Sequence, residues 1–241
     1  MNRSLLATQD LFENQLLALL PGEEHSHLLP KFERVRFALQ QVVYQSGERL
    51  SYIYFPTSSV VSLLYHMENG AIAEMGLTGN DGAVGLALFL GGESMPNQAV
   101  VQIGGGALRM NANALKEDFA RGGHLQRLLL LYTQALLSQI GQTAVCNRLH
   151  SVEQRLCRWL LLCRDRVKSD ELLMTQEFIA NMLGGRRESV TVAAGHLQDA
   201  GVINYSRGHI RILKRKAMEA MACECYRVVR EECNRLFEAA R

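Results

Sequence analysis

Between Leu172 and Leu213 the hydrophobic period changes twice, and no other segment restricts the fold as tightly. Thr175-Gln-Glu-Phe-Ile-Ala-Asn-Met182 has helical spacing. Thr175 is placed to cap its N-terminus, and Glu177 suits the positive end of the helix dipole. Leu183-Gly184-Gly185 is a tight turn, and Arg187–Ala200 is a second helix ended by Gly201. Ala180 lets the two helices approach, Gly184 makes the turn, and Val190 locks the second helix onto the first. After Gly201 the pattern becomes strand-like. Val202–Tyr205 is a strand, Ser206-Arg207-Gly208 a turn and His209–Leu213 a return strand, which together make a β-hairpin wing. A structural helical hairpin accounts for the first half of this segment. Helix pair, basic turn and wing in succession point to DNA.

The second helix divides into two faces. Val190, Ala194 and Leu197 point inward, while Arg187, Glu188, Thr191 and Val192 lie towards the other side as candidate base contacts. An arginine donates twice to guanine O6/N7, and a glutamate accepts from cytosine N4. These groups stand at the start of the helix, where recognition helices meet base edges. Thr175, Arg186, Ser189 and Arg207 are candidate phosphate contacts, joined by Lys214, Arg215 and Lys216 after the wing. The charge distribution agrees: residues 1–150 carry 10 Lys/Arg against 12 Asp/Glu, and residues 151–241 carry 16 against 12. A basic half suits a polyanion.

The preceding sequence has a different texture. Short helices punctuated by Pro21 and Pro30 lead into runs rich in β-branched and aromatic residues: Val42–Tyr44, Tyr52–Phe55, Val60–Tyr65 and Val100–Ile103. Glycines between them, Gly104–Gly106 included, mark turns, so this part predicts an all-β sandwich or barrel. A helix begins at Asn111–Phe119 and Gly122–Gly123 interrupts it. From His124 to Asn147, Leu125, Leu129, Tyr132, Leu136 and Ile140 recur every three or four residues. That stripe is the expected dimer face, its alternative being a helix packed on its own domain. Val152–Val167 and Ala217–Ala240 are further amphipathic helices. The predicted domains are residues 1–120 (sensor), 121–150 (dimerisation helix) and 151–241 (winged helix-turn-helix with a C-terminal helix).

No run reaches the roughly 20 apolar residues of a membrane span, and Met1–Leu20 has no cleavable apolar core. A cytoplasmic protein without membrane contact is expected. Cys146, Cys157, Cys163, Cys223, Cys225 and Cys233 have no zinc-ligand spacing, and two cysteines two apart on a helix diverge. Buried, reduced thiols and no metal are therefore expected, with a redox or metal sensor the minority reading. His66, His124 and His150 lack ligand-spaced partners. No set of nucleophile, base and oxyanion donors stands out, so no enzyme is expected.

With these motifs in hand, the chain resembles the Crp/Fnr superfamily of bacterial transcription regulators over nearly its whole length. The strongest likeness is Thr175 to Val190, followed by Gly201-Val-Ile203 and Tyr205-Ser-Arg-Gly208. The resemblance implies an α+β fold: an N-terminal β jelly roll like a cyclic-nucleotide-binding domain, a long dimerisation helix and a C-terminal winged helix-turn-helix. It places Arg187 and Glu188 on the family's base readers and Ser189 on its phosphate-contacting hydroxyl. The family's third reader, an arginine, is Val192 here. In the sensor, Gly82, Ala83 and Gly85 fall where the phosphate cassette begins, with Ala83 in place of the ribose-binding glutamate. Asn97 and Gln98 replace the phosphate-binding Arg-Ser pair, so a cyclic phosphate would lack its charge-assisted partner. The N-terminal region has no cysteines for an iron–sulfur cluster. The implied function is a homodimeric regulator of inverted-repeat DNA, with RNA polymerase as a further partner, a degenerate sensor, no predicted cofactor and an unknown small-molecule effector. A cyclic-nucleotide-binding module that regulates a protein partner is the alternative.

Overall fold

The computed structural model describes residues 6–167 and 169–240. Two short helices, α1 (Thr8–Leu11) and α2 (Gly22–Leu28), precede seven strands: β1 (Phe32–Phe37), β2 (Val42–Tyr44), β3 (Tyr52–Pro56), β4 (Val60–His66), β5 (Ile72–Thr78), β6 (Gln98–Ile103) and β7 (Gly105–Asn111). They form two antiparallel sheets, ordered β1-β7-β3 and β2-β6-β4-β5. A one-turn helix, α3 (Ala87–Leu90), lies between β5 and β6. Phe55, Ile53, Val61, Leu108 and Met110 fill the space between the sheets. The four strands read from sequence are present, and β1, β5 and β7 join them. Gly105 and Gly106, expected in a turn, begin β7. A side chain on Gly105 would sit 2.6 Å from the Ser58 backbone, so the close strand approach requires glycine there.

Helix α4 (Ala112–Ala120), capped by Asn111, leads across Gly122–Gly123 into α5 (His124–Leu149). The stripe Leu125, Leu129, Tyr132 and Leu136 is buried against the core of the N-terminal sheets, and Ile140 packs beside it. These residues are therefore not an open dimer face, because the helix spends that stripe on its own domain. Its opposite side exposes Leu130, Gln134, Leu137, Gly141, Ala144 and Arg148, also spaced three and four apart, with Val145 and Leu149 alongside.

The C-terminal half comprises α6 (Val152–Val167), β8 (Glu171–Leu173), α7 (Gln176–Leu183), α8 (Arg187–Asp199), β9 (Ile203–Ser206), β10 (His209–Ile212), α9 (Arg215–Met221) and α10 (Glu224–Glu238). The expected single helix at 217–240 is broken at Ala222–Cys223, both in extended conformation. Cys223 therefore stands at the N-cap position of α10 rather than lying within it. Its side chain converges with Cys225, Cys146 and His150 instead of diverging.

The N-terminal and C-terminal halves share one apolar cluster, in which Val60, Leu64 and Leu77 meet Leu156, Trp159, Leu160 and Cys163 of α6. Polar groups cross the same joint. Glu74 accepts from the Trp159 indole N–H at 2.8 Å and lies 2.6 Å from the Ser62 hydroxyl. That hydroxyl is also 2.6 Å from Gln102 Oε1, while Gln102 Nε2 donates to Cys163 Sγ. One hydroxyl proton serves one acceptor. An ionised Glu74 accepts from Ser62; with Glu74 protonated, its O–H donates to Ser62 and Ser62 donates to Gln102, so that both contacts are made. Burial raises the Glu74 carboxyl to about 7, against the opposing hydrogen bonds from Ser62 and Trp159. At the edge of the joint Arg166 pairs with Asp81 at 2.8 Å, its stem lying over Gly79, where a Cβ would meet it at 2.5 Å.

Candidate nucleic-acid interface

Local signals build the helix-turn-helix. The Thr175 hydroxyl oxygen accepts from the Phe178 N–H and caps α7. Gly184, left-handed at φ 58°, ends α7, and the Gly185 N–H returns to the Ala180 carbonyl. Val190, Ala193, Ala194 and Leu197 are buried against α6 and α7. This packing fixes the rotation of α8. Arg187, Glu188, Ser189, Thr191 and Val192 all face solvent, Val192 with 57% exposure. Gly195 and His196 extend the same surface and were missed in the sequence. The helical period alone marks them once the buried face is known.

The four expected base readers thus share one face. The side chains of Arg186, Arg187 and Glu188 make no hydrogen bond or ion pair among the described residues, so their charged groups remain available. Thr191 differs: its hydroxyl donates within reach of Gln176 Oε1 at 2.8 Å and the Arg187 carbonyl at 3.0 Å, tying α8 to the start of α7. Ser189 lies on the flank, where α8 and the start of α6 border a groove lined by Ser151, Val152, Glu188, Val192 and His196. His196 Nδ1 sits 3.0 Å from a Glu153 carboxylate oxygen across that groove. The α6 N-terminus is capped reciprocally by Ser151 and Gln154.

The wing forms as the turn residues require. Ser206 pairs with His209, and the two residues between them, Arg207 (φ 50°) and Gly208 (φ 81°), are both left-handed, as in a type I′ hairpin. Exposed Arg207 stands at the tip. Strand β8, unforeseen in the sequence, pairs with β10, and the Tyr205 hydroxyl donates to the Met174 carbonyl. The wing is thereby fastened beside the Thr175 cap. Arg215 does not join the basic surface: it is held by Asp165, Glu219 and the Tyr226 hydroxyl.

The model of the Crp-like helix-turn-helix domain matches residues 154–221. The chain carries a Crp-like helix-turn-helix domain. Over most of its length the chain shares its fold with solved Crp/Fnr-family regulators. FixK2 from Bradyrhizobium japonicum superposes with a TM-score of 0.69 at 16% identity, covering 80% of this chain and 98% of that one. A Crp-family regulator from Thermus thermophilus gives 0.66 at 18%, covering 78% and 96%. CLP, a c-di-GMP responsive global regulator of Xanthomonas campestris, gives 0.63 at 15%, covering 80% and 99%. No curated protein matched the sequence.

The residues expected from the sequence to form a nucleotide cassette are closely packed. Ala83 is buried, and Gly82 lies against the Tyr132 ring, where a Cβ would come within 2.1 Å. Gly85 is left-handed at φ 110° beside the Tyr52 carbonyl. Asn97 is fully buried and donates to the Tyr44 hydroxyl at 3.0 Å, and its Oδ1 has no partner among the described residues. Gln98 is engaged by Gln45 and His66. The loop around Asp81–Gly85 therefore touches α5 through Tyr132 and α6 through Arg166.

Proposed function

We propose that the chain is a homodimeric, sequence-specific regulator of double-stranded DNA whose sensor does not use cyclic AMP. The observation that carries this reading is the exposed, unpaired start of α8, presenting Arg187 and Glu188 beside the Arg207 wing. Arg187 suits a guanine edge and Glu188 a cytosine amino group. The Thr175 cap uses only the oxygen lone pair, so its hydroxyl proton remains for a phosphate, together with Arg186, Ser189 and Arg207.

Two copies pair through Leu130, Gln134, Leu137, Gly141 and Ala144. Their three-and-four spacing is that of a coiled-coil seam, and Gly141 leaves room for close helix approach. A two-fold dimer reads an inverted repeat, with half-sites about 10 bp apart centre to centre. Ala83, and Asn97 held by Tyr44, supply no cation for a cyclic phosphate. A signal at the Asp81–Gly85 loop passes instead to Tyr132 and Arg166, and so to both long helices. The test compares Arg187→Ala and Arg207→Ala on matched and random duplexes. Arg187→Ala weakens matched binding by about 1–3 kcal/mol and relaxes one position. Arg207→Ala weakens both and lowers the salt slope by about one. Equal losses on both duplexes from both variants would overturn the division of roles.

A further inference from the structure

Away from the DNA surface, three cysteines and a histidine meet at the far end of α5. Cys146 and His150 lie one helical turn apart at its C-terminus, and Cys223 and Cys225 flank the start of α10. One ligand atom from each lies within 4.8 Å of all the others. Cys146 Sγ is 3.5 Å from Cys223 Sγ, and Cys225 Sγ is 3.5 Å from His150 Nδ1. Metal–sulfur bonds of about 2.3 Å in a tetrahedron place ligand sulfurs about 3.8 Å apart, and a nitrogen ligand slightly closer. The spacing suits one ion; an iron–sulfur cluster would spread its ligands wider.

We infer that Cys146, His150, Cys223 and Cys225 form a mononuclear tetrahedral site for a thiophilic divalent cation, for which zinc is the probe. The surroundings fit such a site beyond its four donors. His150 Nε2 is 3.2 Å from a Glu224 carboxylate oxygen. That contact puts the imidazole proton on Nε2 and turns the Nδ1 lone pair towards the sulfurs, as carboxylates do for metal-bound histidines. Gln142 Nε2 donates to Cys225 Sγ at 3.1 Å, a bond that strengthens when the sulfur is a thiolate. The three cysteines form a separate buried cluster, while the His150 side chain reaches the surface and offers an entry path. An ion there staples the end of the dimerisation helix to α10 immediately before His150–Ser151, where the chain turns into α6. Loading thus fixes the joint through which α5 holds the DNA-binding half.

The site is tested on the full-length protein, reduced and freed of metal under argon. Zinc is titrated against a chromophoric chelator, and cobalt serves as the spectroscopic probe. The expected result is one zinc per chain held in competition with the chelator. Cobalt should show intense tetrahedral d–d bands and a sulfur-to-cobalt charge-transfer band, and zinc should raise the melting temperature. Cys225→Ser and the partly exposed His150→Ala weaken binding at least tenfold while circular dichroism shows the fold retained. Cys233→Ser, outside the cluster, leaves it unchanged. Sub-stoichiometric zinc in the reduced protein, an octahedral cobalt spectrum without charge transfer, or an equal loss from Cys233→Ser would each overturn the assignment. So would a quantitative Cys146–Cys223 disulfide in protein that takes no metal once reduced. None of these readouts involves DNA, so failure here is separable from failure of the proposed regulator function.

Discussion

Glu74→Gln converts the buried acid at the joint between the N-terminal sheet and α6 into a neutral isostere of its protonated form. The wild-type carboxyl is raised by burial from an ordinary 4.5 to about 7. The folded state therefore binds the proton more tightly than the unfolded state. The stability this contributes is fully present below pH 4.5, falls as pH rises and is lost once pH passes about 7. The interval between the two values corresponds to roughly 3 kcal/mol. A glutamine oxygen still accepts from the Trp159 indole, and its amide donates to the Ser62 hydroxyl, which then donates to Gln102. The variant should therefore match the wild type near pH 4 and exceed it by up to roughly 3 kcal/mol at pH 8. Urea unfolding across that range reads the difference, and the sole tryptophan of the chain, Trp159, reports from the joint itself. Subtracting the two profiles cancels histidines titrating in both proteins. The reasoning is refuted if glutamine keeps the wild-type slope, or if wild-type stability relative to the variant rises between pH 5 and 8.

Other consequences are equally direct. Leu130→Glu with Leu137→Glu should give a monomer by sedimentation at concentrations where the wild type is dimeric; a wild-type monomer would dispose of the proposed seam. Gly82→Ala places a methyl against the Tyr132 ring and should cost about 1–3 kcal/mol in thermal or urea unfolding, as overpacking does; an unchanged midpoint would show that the cassette loop does not press on α5. Calorimetry with cyclic AMP should show weak or no binding and no change in DNA affinity, whereas submicromolar binding with a matching gain would restore it as effector. Val192→Arg should add guanine preference worth about 1–3 kcal/mol at the pair it faces, and an unchanged preferred sequence would mean that this side chain does not reach the bases.

What was legible in the sequence follows the range of the interactions. The Thr175 cap, the left-handed Gly184 turn, the buried Val190–Ala194–Leu197 stripe and the Arg207-Gly208 hairpin are fixed by near neighbours, and the sequence places each of them correctly. Helix α5 shows where periodicity stops being sufficient. It carries leucines on two sides, and spacing alone does not say that Leu129 and Leu136 belong to the N-terminal core while Leu130 and Leu137 face outward. Strands β5 and β7 were hidden by Gly76, Gly105 and Gly106, whose place in the sheets depends on partners far along the chain. The convergence of Cys146 and His150 with Cys223 and Cys225 is longer-range still. It needs α10 docked along α5 and the helix break before Glu224, neither of which has a local signature.

Whether the start of α8 reads base edges is decided by selecting bound duplexes from a random library, in parallel on the wild type and Arg187→Ala. The wild type should enrich an inverted repeat with half-sites about one helical turn apart. A G·C preference is expected at the pair facing Arg187 and Glu188, and that preference should be relaxed in the variant and nowhere else. No enriched sequence for the wild type, or the same motif with and without Arg187, would contradict it.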